Sequence, residues 1–212
     1  MGQKARIRLH RPGNEADERA AYYICLKTGD HGGDGEPLFP EDPDALGRVY
    51  VGPYLAYAPH LALLLEDEQG VCGYALGVED SRAFYDWYGK HWRPRLCKRF
   101  PEPRGDPAQW TPAQQVYRLY HHPDYFCPEP YALYPAHLHI DLLPRAQGRG
   151  YGRKMMEELL GRLRKRGAPG VHLGVSARNR RAYGFYRKLG FQELTRRGEG
   201  ADAAIYMGKS LS

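Results

Sequence analysis

No stretch of this sequence stays apolar for the ~18 residues that a membrane-spanning helix needs. The longest apolar run, around Leu61 to Leu65, is the size of a strand. The opening residues Met1-Gly2-Gln3-Lys4-Ala5-Arg6 lead into no apolar segment of the kind an export signal carries. Arg6 also stands where an N-myristoylation signal requires Ser or Thr. Cysteine is scarce: Cys25, Cys72, Cys97 and Cys127 are widely spaced and form no Cys-x-x-Cys pair. That argues against a disulfide framework and for free thiols in a reducing, cytoplasmic setting. Internal repeats and low-complexity segments are also missing.

What remains is a chain of 212 residues, 42% hydrophobic, which suits a single domain able to bury a core. The net charge of +6 admits an anionic partner: nucleic acid, a membrane surface or a phosphorylated cofactor. The basic residues gather in the C-terminal third, between Arg145 and Lys188, within regular helical patterns rather than in a basic tail.

The order of elements follows from periodicity. Residues 5–10 alternate as a strand, Pro12-Gly13-Asn14 turns, and a helix is expected over 15–28 with Asn14 as its cap. A loop rich in Gly, Asp and Pro fills 29–43, and a helix interrupted by Pro53 is expected near 44–57. Residues 60–67 and 70–79 read as a hairpin. A helix is expected over 81–98, with Phe84, Trp87, Tyr88 and His91 at helical spacing, and a short one over 112–121. From residue 137 the pattern runs strand (137–143), basic amphipathic helix (149–166), strand (171–176), helix (179–189) and two strands (191–195, 203–209). This is a mixed α/β chain with an N-terminal part (5–80), an insertion (81–136) and a C-terminal core (137–209).

The segment Leu142-Leu143-Pro144-Arg145-Ala146-Gln147-Gly148-Arg149-Gly150-Tyr151-Gly152-Arg153 joins a strand to a helix. Alternating glycines allow a tight bend and close approach of backbone to a ligand. The first N–H groups of the helix have no internal acceptor, and the helix dipole adds positive potential, so a pyrophosphate fits there. Arg149 and Arg153 add full charges. A Walker loop requires Gly-Lys-Ser/Thr, but Gly152 is followed by Arg153-Lys154-Met155. A dinucleotide fingerprint starting at Gly148 requires Gly at the position of Arg153. Neither nucleotide motif fits. In the following helix, Asn179 suits a cap and its amide also suits a ligand. Tyr186 lies on the face of Ala182 and Leu189, where its hydroxyl calls for a partner. It is either a core residue satisfied by backbone or a group facing a site.

The loop Gln147-x-x-Gly150-x-Gly152 resembles motif A of the GCN5-related N-acetyltransferase (GNAT) superfamily. The segment Asn179-Arg-Arg-Ala182-Tyr-Gly-Phe185-Tyr186-Arg-Lys188-Leu189-Gly190-Phe191 resembles its motif B at every keyed position. Together the motifs cover about residues 137–195. Gly52-Pro53-Tyr54-Leu55, the segment Leu65 to Gly77, Phe84-Tyr85 and Trp92-Arg93-Pro94 are further similar to the acetyltransferase-like C-terminal domain of O-GlcNAc hydrolases, extending the likeness over most of the chain as a stand-alone relative.

The resemblance implies a GNAT fold: a mixed, mostly antiparallel sheet with its fourth and fifth strands splayed, flanked by helices, with insertions between the third and fourth strands. It implies an acetyl-CoA-dependent N-acetyltransferase that passes the acetyl group directly to an amine. It implies acetyl-CoA contacts from Leu142, Leu143, Gln147, Gly148, Arg149, Gly150, Tyr151, Gly152, Arg153, Asn179 and Tyr186. The Leu142 N–H is then the oxyanion donor and Tyr186 the acid that protonates the thiolate. Strand alternation places His137, His139 and Asp141 on one face. Asp141, beside the donor, is the expected base or acceptor-orienting group, with His139 second. His-x-His raises the question of a metal, but no carboxylate or thiol partner has obvious spacing and none is expected. The other reading is an acyl-CoA-binding module without transfer. A nucleic-acid partner is disfavoured because the charge sits where a pyrophosphate would lie, and the acceptor is an unidentified amine. Aromatic residues of 29–59 and 81–136 are expected to be acceptor walls or insertion core.

Overall fold

Alternating apolar residues build one seven-stranded sheet, in the order β1-β2-β3-β4-β5-β7-β6. The computed structural model describes residues 5–123 and 132–212; Tyr125, Cys127 and Tyr131 lie outside the described residues. Strand β1 (Arg6–Leu9) pairs antiparallel with β2 (Ala62–Asp67), and β2 with β3 (Gly70–Val78) in the expected hairpin. Between β1 and β2 lie α1 (Glu15–Lys27), α2 (Gly47–Tyr50) and α3 (Gly52–Tyr57). Asn14 caps α1, accepting from the Asp17 N–H at 2.9 Å. The buried Asp17 carboxylate takes Arg8 at 2.7 Å and Arg11 at 2.6 Å, pinning the start of α1 to the end of β1. The insertion carries α4 (Ser81–Trp87), α5 (Arg93–Arg99) and α6 (Pro112–His121). The C-terminal part then runs β4 (Ala136–Leu142), α7 (Tyr151–Lys165), β5 (Gly170–Ser176), α8 (Arg180–Lys188), β6 (Gln192–Arg197) and β7 (Ala204–Ser210).

Three expected helices differ in detail. The helix over 81–98 is broken by a π turn at Tyr88–Trp92. Pro94, which lacks an N–H and whose ring would strike the carbonyl one turn back, explains the widened turn. The helix near 44–57 is two short pieces that break at Val51, just before Gly52-Pro53. There α3 lies so close to its neighbours that a Cβ on Gly52 would meet the Tyr22 hydroxyl at 2.2 Å. The helix over 149–166 starts only at Tyr151, because Gly150 takes a left-handed φ of 78° as its N-cap.

Strand β4 organises the rest. It pairs with β3 along its length, Tyr74 opposite Asp141, Leu76 opposite His139 and Val78 opposite His137. Its pairing with β5 is parallel and confined to Ala136–Val171 and His137–His172. Beyond those pairs the two strands diverge. Leu138, Ile140 and Leu142 share the other face with Gly77, where α7 packs: a Cβ on Gly77 would sit 3.1 Å from Leu159. Met155, Met156, Leu159 and Leu163 of α7 are buried. Among the described residues, no helix is long and apolar enough to cross a membrane.

Candidate active site

The divergence of β4 and β5 opens a groove of about 420 Å³. Its walls are the end of β4, the glycine loop, one face of α8, and Thr28 and Gly32 after α1. Each wall follows from local sequence.

In the glycine loop, Gly148 and Gly150 have φ of 73° and 78°. A Cβ at either position would meet nothing within 4 Å, so the demand for glycine comes from the left-handed backbone itself. No side chain caps α7, which leaves its first-turn N–H groups directed at the groove mouth. At Gly152, where α7 faces α8, a Cβ would lie 3.4 Å from the Phe185 ring, an ordinary contact. Arg153, Arg181 and Lys188 bring positive charge to the same groove.

At the end of β4 the backbone is aimed by the sheet. The Leu143 N–H donates to the Cys72 carbonyl at 2.8 Å, toward β3. Successive N–H groups of a strand point to opposite edges, so the Leu142 N–H points into the gap toward β5. The Leu142 carbonyl points the same way and accepts from Gln147 Nε2 at 2.6 Å. Arg181 donates to the other end of that amide, Gln147 Oε1. Gln147 thus ties the end of β4 to α8 across the groove.

Two titratable groups face the gap. Asp141 Oδ2 accepts from the Tyr74 hydroxyl at 2.6 Å. Burial pushes its carboxyl up to about 6, against hydrogen bonds from Tyr74 and Thr28 that pull it down. Tyr186 is buried, its ring 5.4 Å from Phe185 and 5.8 Å from Phe191. Burial, with the nearby Asp141 charge, raises its phenol well above the usual tyrosine value. Its hydroxyl has no hydrogen-bond partner among the described residues, so the backbone-satisfied alternative does not hold; Tyr186 lines the groove. Asn179 accepts from the Ala182 N–H at 3.0 Å as the cap of α8. Its Nδ2 would be 2.7 Å from a Cβ on Gly32, which brings the loop after α1 against the groove.

A buried polar chain stands behind Asp141 on the same face. Tyr54 Oη lies 2.8 Å from His137 Nε2 and 2.9 Å from His139 Nε2, and Ser81 Oγ lies 2.7 Å from His137 Nδ1.

The Acetyltransferase (GNAT) family model matches residues 35–191. The chain belongs to the GNAT acetyltransferase family. Membership fits the mixed sheet in which β4 and β5 pair at two positions and then diverge. Curated relatives include Protein O-GlcNAcase of Rattus norvegicus and of Mus musculus, each 30% identical over 202 residues and 95% of this chain. The match takes in 22% of each relative's length, so the chain spans about a fifth of those proteins. Among solved structures, SsHAT is 38% identical, with a TM-score of 0.87 and 99% of both chains covered. A putative acetyltransferase from Salmonella typhimurium, solved with its cofactor acetyl-CoA, shares the fold at 16% identity, with a TM-score of 0.55 and 98% and 94% coverage.

Of the GNAT site residues expected from sequence, Asp141, Leu142, Gln147, Gly148, Gly150, Gly152, Arg153, Asn179 and Tyr186 converge on the groove. Leu143 does not: its side chain is buried away from the groove and its N–H is engaged by Cys72. Arg149 is exposed outside the lining. The Tyr151 hydroxyl turns toward β1, accepting from the Ala5 N–H at 3.1 Å. Sequence reasoning missed Thr28, Gly32, Ile140, Arg181, Phe185 and Lys188 as groove walls. The α8 spacing 181-185-188 carried that signal; nothing local marks Thr28 or Gly32. Of the aromatic residues expected as acceptor walls or core, Tyr54, Tyr88 and Tyr120 are core, whereas Tyr50 is exposed.

Proposed function

We propose that this GNAT protein transfers the acetyl group of acetyl-CoA directly to an amine. The observation that carries the reading is the Leu142 N–H aimed into the gap between Asp141 and Tyr186. The glycine-loop amides with Arg153, Arg181 and Lys188 would hold the pyrophosphate and 3′-phosphate. The groove along Ile140 and Leu142 would take the pantetheine arm. The Asp141 carboxylate takes a proton from the neutral acceptor amine as its nitrogen attacks the thioester carbonyl. The Leu142 N–H holds the oxygen as it becomes negative. As the carbon–sulfur bond breaks, Tyr186 gives its proton to the departing thiolate. The acetyl-CoA bound to the Salmonella relative and the free thiols Cys25, Cys72 and Cys97 are consistent with such an enzyme in a reducing cytoplasm.

Calorimetric titration with acetyl-CoA tests the binding half. One saturable site is expected, strongly weakened in Gly150→Val, where a β-branched residue would have to adopt the left-handed backbone. No heat at millimolar acetyl-CoA would overturn the reading.

A further inference from the structure

The polar chain behind Asp141 has one consistent arrangement of protons. Ser81 Oγ lies 2.6 Å from the Pro135 carbonyl, which can only accept, so the Ser81 proton points there. Ser81 Oγ therefore accepts from His137 Nδ1–H. Burial holds His137 well below the ordinary imidazole value, with His172 and His139 adding to the effect, so its ring is neutral and Nε2 carries a lone pair. Tyr54 donates its single proton to that lone pair. The Tyr54 oxygen then accepts from His139 Nε2–H. Burial pushes His139 down to about 4, so it too is neutral and its lone pair is at Nδ1. Nδ1 has no hydrogen-bond partner among the described residues.

His139 is half-buried on the face of β4 that carries Asp141. His139 and Asp141 are two residues apart on one face of β4, about 7 Å along the strand. Across the gap, parallel register from His137–His172 brings Gly174 of β5 opposite His139. Gly174 is exposed, and a Cβ there would touch only Tyr206 at an ordinary 3.5 Å, so this stretch of β5 presents open space on that face. The exposed Tyr50 ring stands edge-on to His139 at 5.8 Å.

We propose that His139 is a positioning residue for the acceptor: its Nδ1, fixed as a hydrogen-bond acceptor by the Pro135–Ser81–His137–Tyr54 chain, takes one N–H of a primary amine while Asp141 takes the proton that is lost. The amine enters through the slot between His139 and Gly174. This rests on the proposed transfer reaction and names the part of the site that selects its acceptor. A primary amine has an N–H for each of the two groups; a tertiary amine, even when protonated, has a single N–H and leaves none for His139. His139 is not the base, because a proton on Nδ1 would create a buried imidazolium beside two other imidazoles.

The test uses the ¹⁵N-labelled full chain saturated with CoA. Histidine ring ¹⁵N shifts are followed at neutral pH while benzylamine, N,N-dimethylbenzylamine or glucosamine is added. In the free protein the His139 Nδ1 resonance is expected in the unprotonated range. It should move on addition of a primary amine and not of the N,N-dimethyl analogue. Acetylation of benzylamine and glucosamine is measured in parallel. His139→Asn, which keeps an acceptor atom near Nδ1, should retain more activity than His139→Leu. The Leu variant should raise acceptor KM about tenfold or more while leaving acetyl-CoA KM and the acid limb of the pH profile in place. Gly174→Val should raise acceptor KM in the same way. A protonated Nδ1, an Nδ1 unmoved by every amine, or a shifted acid limb in His139→Leu overturns the proposal. An Nδ1 that responds to a primary amine with no acetyl transferred would instead leave the positioning site standing and overturn the transfer reaction.

Discussion

Asp141 and Tyr186 draw their chemistry from the same cause, burial, acting on two different acids. For Asp141 the folded state holds its proton more tightly than the unfolded chain does, since the carboxyl rises from 3.8 to about 6. Its contribution is therefore neutral below about pH 4 and becomes destabilising as pH rises through about 6. At neutral pH the cost is on the order of 3 kcal/mol, at 1.36 kcal/mol per unit. Asp141→Asn should thus raise the melting temperature above pH 6 and not at pH 4, while lowering kcat/KM by about 100-fold or more. Thermal melts at the two pH values, with acetyl transfer assays, check both halves. The wild-type kcat/KM should fall as pH drops below about 6. Tyr186 remains protonated throughout this range, as the proposed acid must. Tyr186→Phe should lower kcat by about 100-fold with little change in acetyl-CoA affinity by calorimetry, because the ring packing on Phe185 and Phe191 is preserved.

Among the elements, β4 does the most with the fewest residues. One face is apolar against α7, the other carries His137, His139 and Asp141, and its last backbone N–H groups alternate between β3 and the gap. Gln147 holds that end in place through the Leu142 carbonyl and Arg181. Gln147→Ala should therefore lower kcat as well as acetyl-CoA affinity, since it frees both the loop and the strand end; steady-state kinetics separate this from a loss of affinity alone. Most of this was legible in the sequence. Alternation put Asp141 and the histidines on one face, and the glycine spacing announced a strand-to-helix cradle. The failures have particular causes. Leu143 and Tyr151 sit inside a recognised loop, but strand alternation turned the Leu143 N–H to β3, and packing turned the Tyr151 ring toward β1. The helix over 81–98 has helical spacing throughout, yet Pro94 widens it into a π turn.

For the molecule as a whole, function depends on where one sheet stops being continuous. β4 and β5 pair at only two positions, and past them the gap is walled by segments far apart in sequence: Thr28 and Gly32, Gln147 to Arg153, and Asn179 to Lys188. The last two segments announce themselves by motif. Thr28 and Gly32 join the site because α1 packs on the sheet, with Asp17 clamped by Arg8 and Arg11 at its start and the loop after it brought against Asn179. No local pattern encodes such a contact. The Tyr54–His137–Ser81 chain is similar: it joins α3, β4 and α4, and each residue alone reads as ordinary core. Polarisation of a thioester at Leu142 can be seen in a crystal structure with a non-hydrolysable acetyl-CoA analogue. The acetyl oxygen is expected about 2.7–3.1 Å from the Leu142 nitrogen, with the Tyr186 hydroxyl beside the atom replacing sulfur. An analogue bound with its carbonyl away from Leu142, or outside the gap between β4 and β5, would contradict it.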